Sequence, residues 1–192
     1  MGWRITVEPT SEPVTLDELR THLRVDSAFD SELTRLITAA RKTVEAYLHR
    51  QLINATYAWS FDYWPDYCFE IPVGPLSSVT SIQYYDTAGA QQTWASSNYQ
   101  VDTTELFGTI TLAAGVTYPS LQSEKKNAIT VTFVAGYGAS ASSVPDNIKQ
   151  AILVLAGHWF ENAVPAVTGT IATDIPMHLT WMLNPDLAAE TY

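Results

Sequence analysis

The spacing of apolar residues changes twice along the chain, and this change limits the folds that the sequence can adopt. Between residues 31 and 50, apolar side chains recur every three to four positions, at Leu33, Leu36, Ile37, Ala40, Val44 and Leu48. That interval indicates a helix with an apolar face. From residue 53 the interval becomes two, with Tyr57, Trp59, Phe61 and Tyr63 alternating with small or polar residues. Such alternation predicts a strand with an aromatic face.

Helical segments are predicted on both sides of this β region. Thr15-Leu16-Asp17-Glu18 has the form of a capping box, which predicts a first helix over residues 16–24. Asp30 or Ser27 can cap the second helix, over residues 31–50. Pro145 fits the first position of a third helix that runs to about residue 162. This third helix is apolar on nearly all sides, so we expect it to be buried on more than one face.

Short strands are predicted between the second and third helices. They cover residues 68–73, 79–85, 91–94, 99–101, 109–112 and 128–135, with turn-forming residues between them. The sequence thus predicts an α+β fold: a small bundle of three main helices with an inserted antiparallel unit that resembles a sandwich or barrel. The helical core is assigned to residues 1–50 and 139–192, the inserted sub-domain to residues 51–138, and an extended arm to the C-terminal end.

Charge and composition argue against several functions. The chain has a formal net charge of −10, and residues 51–124 contain no Lys or Arg. Because affinity for phosphate comes mainly from basic side chains, specific binding of nucleic acid is not expected. No apolar run approaches the roughly 20 residues of a spanning helix, and the start does not resemble a signal peptide. We therefore expect a protein without membrane association that is made in a cytoplasm.

Catalytic or metal-binding patterns are not evident, so the sequence predicts neither an enzyme nor a cofactor. The four histidines are far apart in the sequence, and Cys68 is the single cysteine. Two other hypotheses remain open. The aromatic residues 57–64, with Asp62 and Asp66, could form a carbohydrate-binding or adhesion site, provided that their rings are exposed. A small hydrolase would need two carboxyl groups that converge in a cleft, and the spacing selects no such pair.

Several segments in order resemble the head–tail connector (adaptor) proteins of siphophages, in the branch with a β insertion between helices two and three. The resemblance covers about residues 14–162, and the similar segments include Gly136-Tyr137-Gly138 and Trp159-Phe160-Glu161-Asn162. It implies a ring, commonly twelvefold, that joins the portal to a stopper or tail-terminator protein in the neck of the virion. DNA would pass through the ring without specific binding, and assembly would take place in the host bacterial cytoplasm.

Contact residues can be predicted for such a ring. Ring contacts use two different faces of each subunit, and we assign them to the second and third helices, at Leu36, Arg41, Leu153, Val154 and Phe160. The resemblance implies that a C-terminal arm docks on the portal, and we place this contact at Ile175, Met177, Leu179, Trp181 and Leu183. The alternative is that Trp181 and Leu183 fold back on their own helices. An acidic channel wall would repel phosphate, and its candidate residues are Asp86, Asp102 and Glu105.

Overall fold

The computed structural model describes residues 2–162 and Leu183. These residues form two compact units. The helical unit contains Ser11–Leu52 and the described residues from Ser140 onward, and the β unit contains the described residues up to Thr10 together with Ile53–Ala139. The α+β fold, with three α-helices among the described residues, agrees with the prediction. The first ten residues differ, because they belong to the β unit and not to the helical core.

The helical unit contains α1 (Leu16–Leu23), α2 (Asp30–Leu48) and α3 (Asp146–Glu161). The predicted capping box is present: the Thr15 hydroxyl accepts a hydrogen bond from the Glu18 N–H, and the Glu18 carboxylate accepts one from the Thr15 N–H. Helix α2 begins differently from the prediction, because its N-cap is Phe29, which makes no side-chain cap. It ends at Leu48, where His49 takes a left-handed conformation. Pro145 lies at the N-cap of α3, one position before the predicted place.

The apolar stripes of the three helices supply the core of the helical unit. The buried side chains include Leu19, Leu33, Ile37, Val44, Ile148, Ile152 and Leu155. A Cβ added at Gly157 of α3 would lie 3.3 Å from Leu23 Cδ2, so α1 and α3 approach closely at this glycine. None of the helices among the described residues is long and apolar enough to cross a membrane.

Eight strands form the β unit in two antiparallel sheets. In chain order they are β1 (Gly2–Val7), β2 (Ala55–Phe61), β3 (Cys68–Glu70), β4 (Leu76–Tyr85), β5 (Gln91–Trp94), β6 (Tyr99–Asp102), β7 (Thr109–Leu112) and β8 (Ile129–Ala135). The larger sheet has the order β1-β2-β8-β4-β5, and the smaller has the order β3-β7-β6. Strand β1, at the edge of the larger sheet, was not predicted from the sequence.

Aromatic and aliphatic side chains from both sheets form one core in the β unit. Tyr57, Trp59 and Phe61 of β2 alternate with less buried residues, as the period of two predicts. The Tyr57 ring stacks on Phe133 of β8 with 5.3 Å between centroids. The rings of Trp59 and Phe61 contact Phe69 of the smaller sheet. The alternating aromatic residues of β2 are therefore packing residues.

Candidate interaction surfaces

A buried ion pair network lies inside the helical unit, at a position that the sequence assigned to the ring interface. Arg41 of α2 is only 5% exposed. Its Nε donates to Glu12 Oε2 at 2.7 Å, and its Nη1 donates to Glu45 Oε2 at 2.8 Å. The other oxygen of Glu45 accepts from Gln51 Nε2 at 2.7 Å and from the Leu52 N–H at 3.1 Å. The structure thus places Arg41 inside the unit, where it binds its own chain.

Burial and neighbouring charges shift the pKa values of Arg41 and Glu45 in opposite directions. Burial disfavours the charged form of Arg41, but the carboxylates of Glu45 and Glu12 outweigh it, and together they raise the arginine pKa. Burial also raises the pKa of Glu45, although Arg41 acts in the opposite direction. Two carboxyl groups with one raised pKa could suggest a hydrolase. Here, however, their oxygens bind Arg41, Thr38, Gln51 and the Leu52 N–H, so the arrangement is structural.

The outer side of α3 carries the remaining apolar residues that were predicted for the ring. Leu153 and Val154 are partly exposed, while their neighbours Ile152 and Leu155 are buried. Phe160 is also partly exposed, and its ring meets Phe29 edge to face, with 5.3 Å between centroids. Leu36 of α2 is partly exposed as well. These four residues keep apolar surface that a second subunit could cover.

The predicted channel acids are accessible, but they lie at two places in the β unit. Asp86 forms the turn between β4 and β5, where its Oδ1 accepts from the Ala88 and Ala90 N–H groups at 3.0 Å. Asp102 ends β6, where it accepts from the Thr104 N–H at 2.8 Å, and Glu105 is exposed in the same loop. Hydrogen bonds from Gln92 and Ala90 lower the pKa of Asp86, and those from Thr104 lower the pKa of Asp102.

Strand β4 separates these acids by most of its length. Asp86 directly follows its last residue, Tyr85. The loop of Asp102 and Glu105 returns to its first residue, because the Leu76 N–H donates to the Leu106 carbonyl at 3.3 Å. A strand of ten residues spans about 30 Å at about 3.3 Å per residue. The three acids therefore cannot form one cluster within a subunit.

The loop between β2 and β3 has two very exposed aromatic side chains, Tyr63 and Tyr67, at 75% and 87% exposure. The other aromatic residues of the predicted carbohydrate site are less exposed than these two tyrosines. Tyr57, Trp59 and Phe61 are buried. The Trp64 ring stacks on Tyr118 with 4.8 Å between centroids, and its Nε1 donates to the Pro119 carbonyl at 2.8 Å. The flat array of exposed rings that carbohydrate binding requires is thus not formed by these residues.

A basic pocket lies in the β unit, and sequence reasoning missed it. Its volume is about 470 Å³, and its lining includes Arg4, Lys125 and Lys126. Arg4 lies on β1, whereas the lysines immediately precede β8. Nothing in the sequence indicates that β1 would bring an arginine beside the two lysines. Pairing of β1 with β2, which places Arg4 opposite Ala58, creates the pocket.

Two further predictions concern chemistry and the C-terminal arm. No group of three or more His, Cys, Asp or Glu side chains that could hold a metal ion occurs within residues 2–162 and at Leu183. Of the predicted arm, Ile175, Met177, Leu179 and Trp181 lie outside the described residues. Leu183 is described: it is helical and buried.

Comparison with known proteins gives a family and a fold. The family model described as head completion protein matches residues 12–174. The fold is similar to that of a chain in the neck of an empty gene transfer agent (GTA) particle, computed with C6 symmetry, with a TM-score of 0.75, 21% identity and coverage of 95% of each chain. No curated protein sequence matches.

Two more solved structures show the same fold at similar identity. A chain in the virion of the native GTA particle has a TM-score of 0.75 at 21% identity, over 96% of this chain and 94% of that one. A chain in the neck of the native GTA particle, computed with C12 symmetry, has a TM-score of 0.72 at 22% identity, over 97% of this chain and 94% of that one.

Proposed function

The chain belongs to the head completion protein family, and from this premise we propose that it is a structural head–tail connector subunit of a tailed bacteriophage. It forms a ring in the neck of the virion, between the portal protein and a stopper or tail-terminator protein. The ring extends the channel through which DNA passes without specific binding. Its role is assembly and not catalysis, and it assembles in the cytoplasm of the host bacterium.

The observation that carries this proposal is the likeness of almost the whole chain to subunits of GTA necks. The similarity covers 95% of this chain and 95% of the neck subunit. The neck structures were computed with C6 and C12 symmetry, which supports a homo-oligomeric ring, and we propose twelve copies. The family match over residues 12–174 supports the same role independently of the fold.

The apolar surface of α3 supports the proposed ring contact. Leu153 and Val154 keep exposed surface beside a fully packed core, and Phe160 and Phe29 extend it. Ring contacts are heterologous, so each subunit needs two different surfaces. Leu36 of α2 remains a candidate for the second surface, whereas the internal ion pairs of Arg41 leave that residue little to contribute. The arm residues Ile175, Met177, Leu179 and Trp181 remain the proposed contact with the portal, whereas Leu183 is buried within its own chain and is withdrawn from it.

The acidic residues support passage of DNA without binding. Asp86, Asp102 and Glu105 are accessible, and their charge would repel phosphate wherever they face the channel. They lie at the two ends of β4, so Asp86 alone can serve as the channel acid where Asp102 and Glu105 are engaged by a neighbouring subunit. The carbohydrate alternative receives no support, since the required rings are buried.

Electron microscopy of the chain mixed with its cognate portal tests this function. A ring of this chain, attached to the portal, is the expected result. Portal particles without added density, at concentrations where connector rings form on other portals, would contradict it. Leu153→Asp should reduce the fraction of occupied portals at least tenfold, because it places a charge in the apolar contact. Ala46→Asp, at an exposed position of α2 that is about three turns from Leu36, is the matched control and should leave occupancy unchanged.

A further inference from the structure

We propose that the basic pocket of the β unit binds the acidic loop of residues 102–105 from a second copy of the chain. This inference rests on the ring proposed above and names one of its contacts. It assigns a binding role to Arg4, Lys125 and Lys126, and it assigns the ligand carboxylates to Asp102 and Glu105.

The distribution of charge in the β unit first points to the pocket. The three basic side chains of this unit all line the same cavity. The unit has many more carboxylates, at Glu8, Asp62, Asp66, Glu70, Asp86, Asp102, Glu105 and Glu124. Cations scattered at random among these acids would form separate surface pairs. Their convergence from β1 and from the segment before β8 instead makes one cationic site.

The floor of the pocket is polar and suits a carboxylate. It includes Ser60 and Thr130 on adjacent strands, whose hydroxyl groups are 3.1 Å apart and hydrogen-bonded. Tyr85 and Gln91 also line the pocket, near the end of β4. Hydroxyl and amide groups can donate to a carboxylate oxygen, and the surrounding cations add charge-assisted hydrogen bonds.

The cations retain capacity for a ligand. Lys126 Nζ binds Asp62 Oδ2 at 3.0 Å, but its side chain is 81% exposed, and an ammonium group has three donors. Lys125 Nζ lies 4.3 Å from the centroid of the Tyr85 ring. Arg4 is exposed, and no carboxylate partner of it occurs among the described residues. Asp62 therefore offsets one of three positive charges, and the pocket stays cationic.

Residues 102–105 are a suitable ligand because both carboxylates project from an exposed loop. Asp102 Oδ1 accepts the Thr104 N–H, which orders this part of the loop, and the side chains of Asp102 and Glu105 are exposed. A pre-ordered loop loses less conformational entropy on binding than a mobile one.

The position of the loop also explains why the ligand comes from another copy. The loop meets the start of β4, whereas the pocket contains Tyr85 at its end. With about 30 Å between the two ends, a subunit cannot fill its own pocket. Two complementary patches at opposite ends of one unit are what a heterologous contact between copies requires.

DNA phosphate is the competing ligand for three cations. The excess of carboxylates on the same unit disfavours it, because a polyanion would meet those charges as well. The two ligands can be separated directly, as described below.

Cross-linking in assembled rings tests the contact. In a Cys68→Ser background, which removes the single native thiol, Gln91→Cys at the pocket is combined with Thr103→Cys in the loop, so that the charged residues stay in place. The rings on portal are treated with a short bismaleimide. Gln91→Cys with Asp86→Cys is the matched control, since Asp86 lies at the same end of β4 as the pocket. A ladder of covalent oligomers should form with the first pair and not with the second.

The outcomes separate this inference from the function on which it rests. Rings that are visible by electron microscopy but give no ladder with Thr103→Cys would overturn the inference and leave the connector function intact. Failure of the unmodified chain to form rings on portal would overturn both.

Charge exchange provides a second, independent test. Lys125→Glu with Lys126→Glu should reduce ring occupancy at least tenfold, and adding Asp102→Lys with Glu105→Lys to the same chain should restore it. Lys42→Glu, at an exposed position of α2, should have no effect. Binding of the unmodified chain to a short DNA duplex that is lost in the double lysine variant, without any loss of rings, would assign the pocket to DNA and overturn the inference.

Discussion

The helical unit and the β unit differ in where they place charged side chains. The helical unit buries a guanidinium, Arg41, and surrounds it with two carboxylates of its own chain. The β unit has a core of aromatic and aliphatic side chains, and its described ion pair, between Lys126 and Asp62, is at the surface. A buried ion adds to folding stability only while its charged partners remain. The stability of an apolar core depends instead on how completely its volume is filled. We therefore expect different kinds of substitution to destabilise the two units.

Removal of Arg41 should have the largest effect on stability. Arg41→Ala leaves Glu12 and Glu45 without their common cation, and Glu45 is largely buried. We expect the helical unit to lose about 3–5 kcal/mol of unfolding free energy. Hydrogen exchange read by mass spectrometry can measure this for each unit separately.

Arg35→Ala on the same helix is the matched control, because Arg35 is exposed. It should change the free energy by less than about 0.5 kcal/mol. A comparably small loss for Arg41→Ala would show that the network contributes little, and the contrast between the units would then disappear.

Removal of apolar volume should be the most damaging kind of change in the β unit. Ile82 of β4 is fully buried, and Ile82→Ala should cost about 2–5 kcal/mol through lost burial and the cavity left behind. Gln83→Ala, the adjacent residue on the outward face of the strand, should cost less than about 0.5 kcal/mol. Faster exchange confined to β2, β4 and β8 would support the prediction, and equal effects of both substitutions would contradict it.

The same contrast explains what the sequence could predict. Periodicity predicted all three helices and most strands, because burial of one face is a local pattern. It missed β1, a strand with no buried residue, which is held by its pairing with β2. It also assigned Arg41 to an outer surface. A helical position shows which face a side chain is on, but Glu12, which binds Arg41, and Gln51, which binds Glu45, come from segments outside the helix.

The candidate sites show the same limit. The partly exposed residues Leu153 and Val154 could be selected from the sequence, because they are surplus apolar positions on one helix. The basic pocket could not be predicted in this way. It depends on the pairing of β1 with β2 and on a loop that lies more than a hundred residues after β1. An unexpected edge strand thus determined the most distinctive electrostatic feature of the β unit.

A smaller effect is expected at the start of α1, where charge is exposed. Thr15→Ala removes one half of the capping box and should cost the helical unit about 1 kcal/mol. Thr34→Ala is the control, since its hydroxyl only bonds the Asp30 carbonyl within α2 and its loss should be nearly neutral. If Thr15→Ala were as mild as Thr34→Ala, packing and not the cap would determine where α1 begins.

Acidification should have the smallest effect on stability. It tests the difference between the two units through the pKa of one carboxyl group in each. The hydrogen bond from the Asn127 N–H and the ion pair with Lys126 lower the pKa of Asp62 from its ordinary 3.8. Its stabilising contribution to the β unit is thus present above pH 3.8 and lost as the pH falls through the folded value.

Glu45 should behave in the opposite sense, since burial raises its pKa above the ordinary 4.5. Its contribution to the helical unit is greatest below pH 4.5 and is lost as the pH rises through the folded value. Carboxyl carbon shifts measured by NMR should show Glu45 titrating above pH 4.5 and Asp62 below pH 3.8. A Glu45 pKa at or below 4.5 would mean that Arg41 outweighs burial. Neither unit would then disfavour the charged form of its carboxyl group, and the two units would differ only in the packing of their cores.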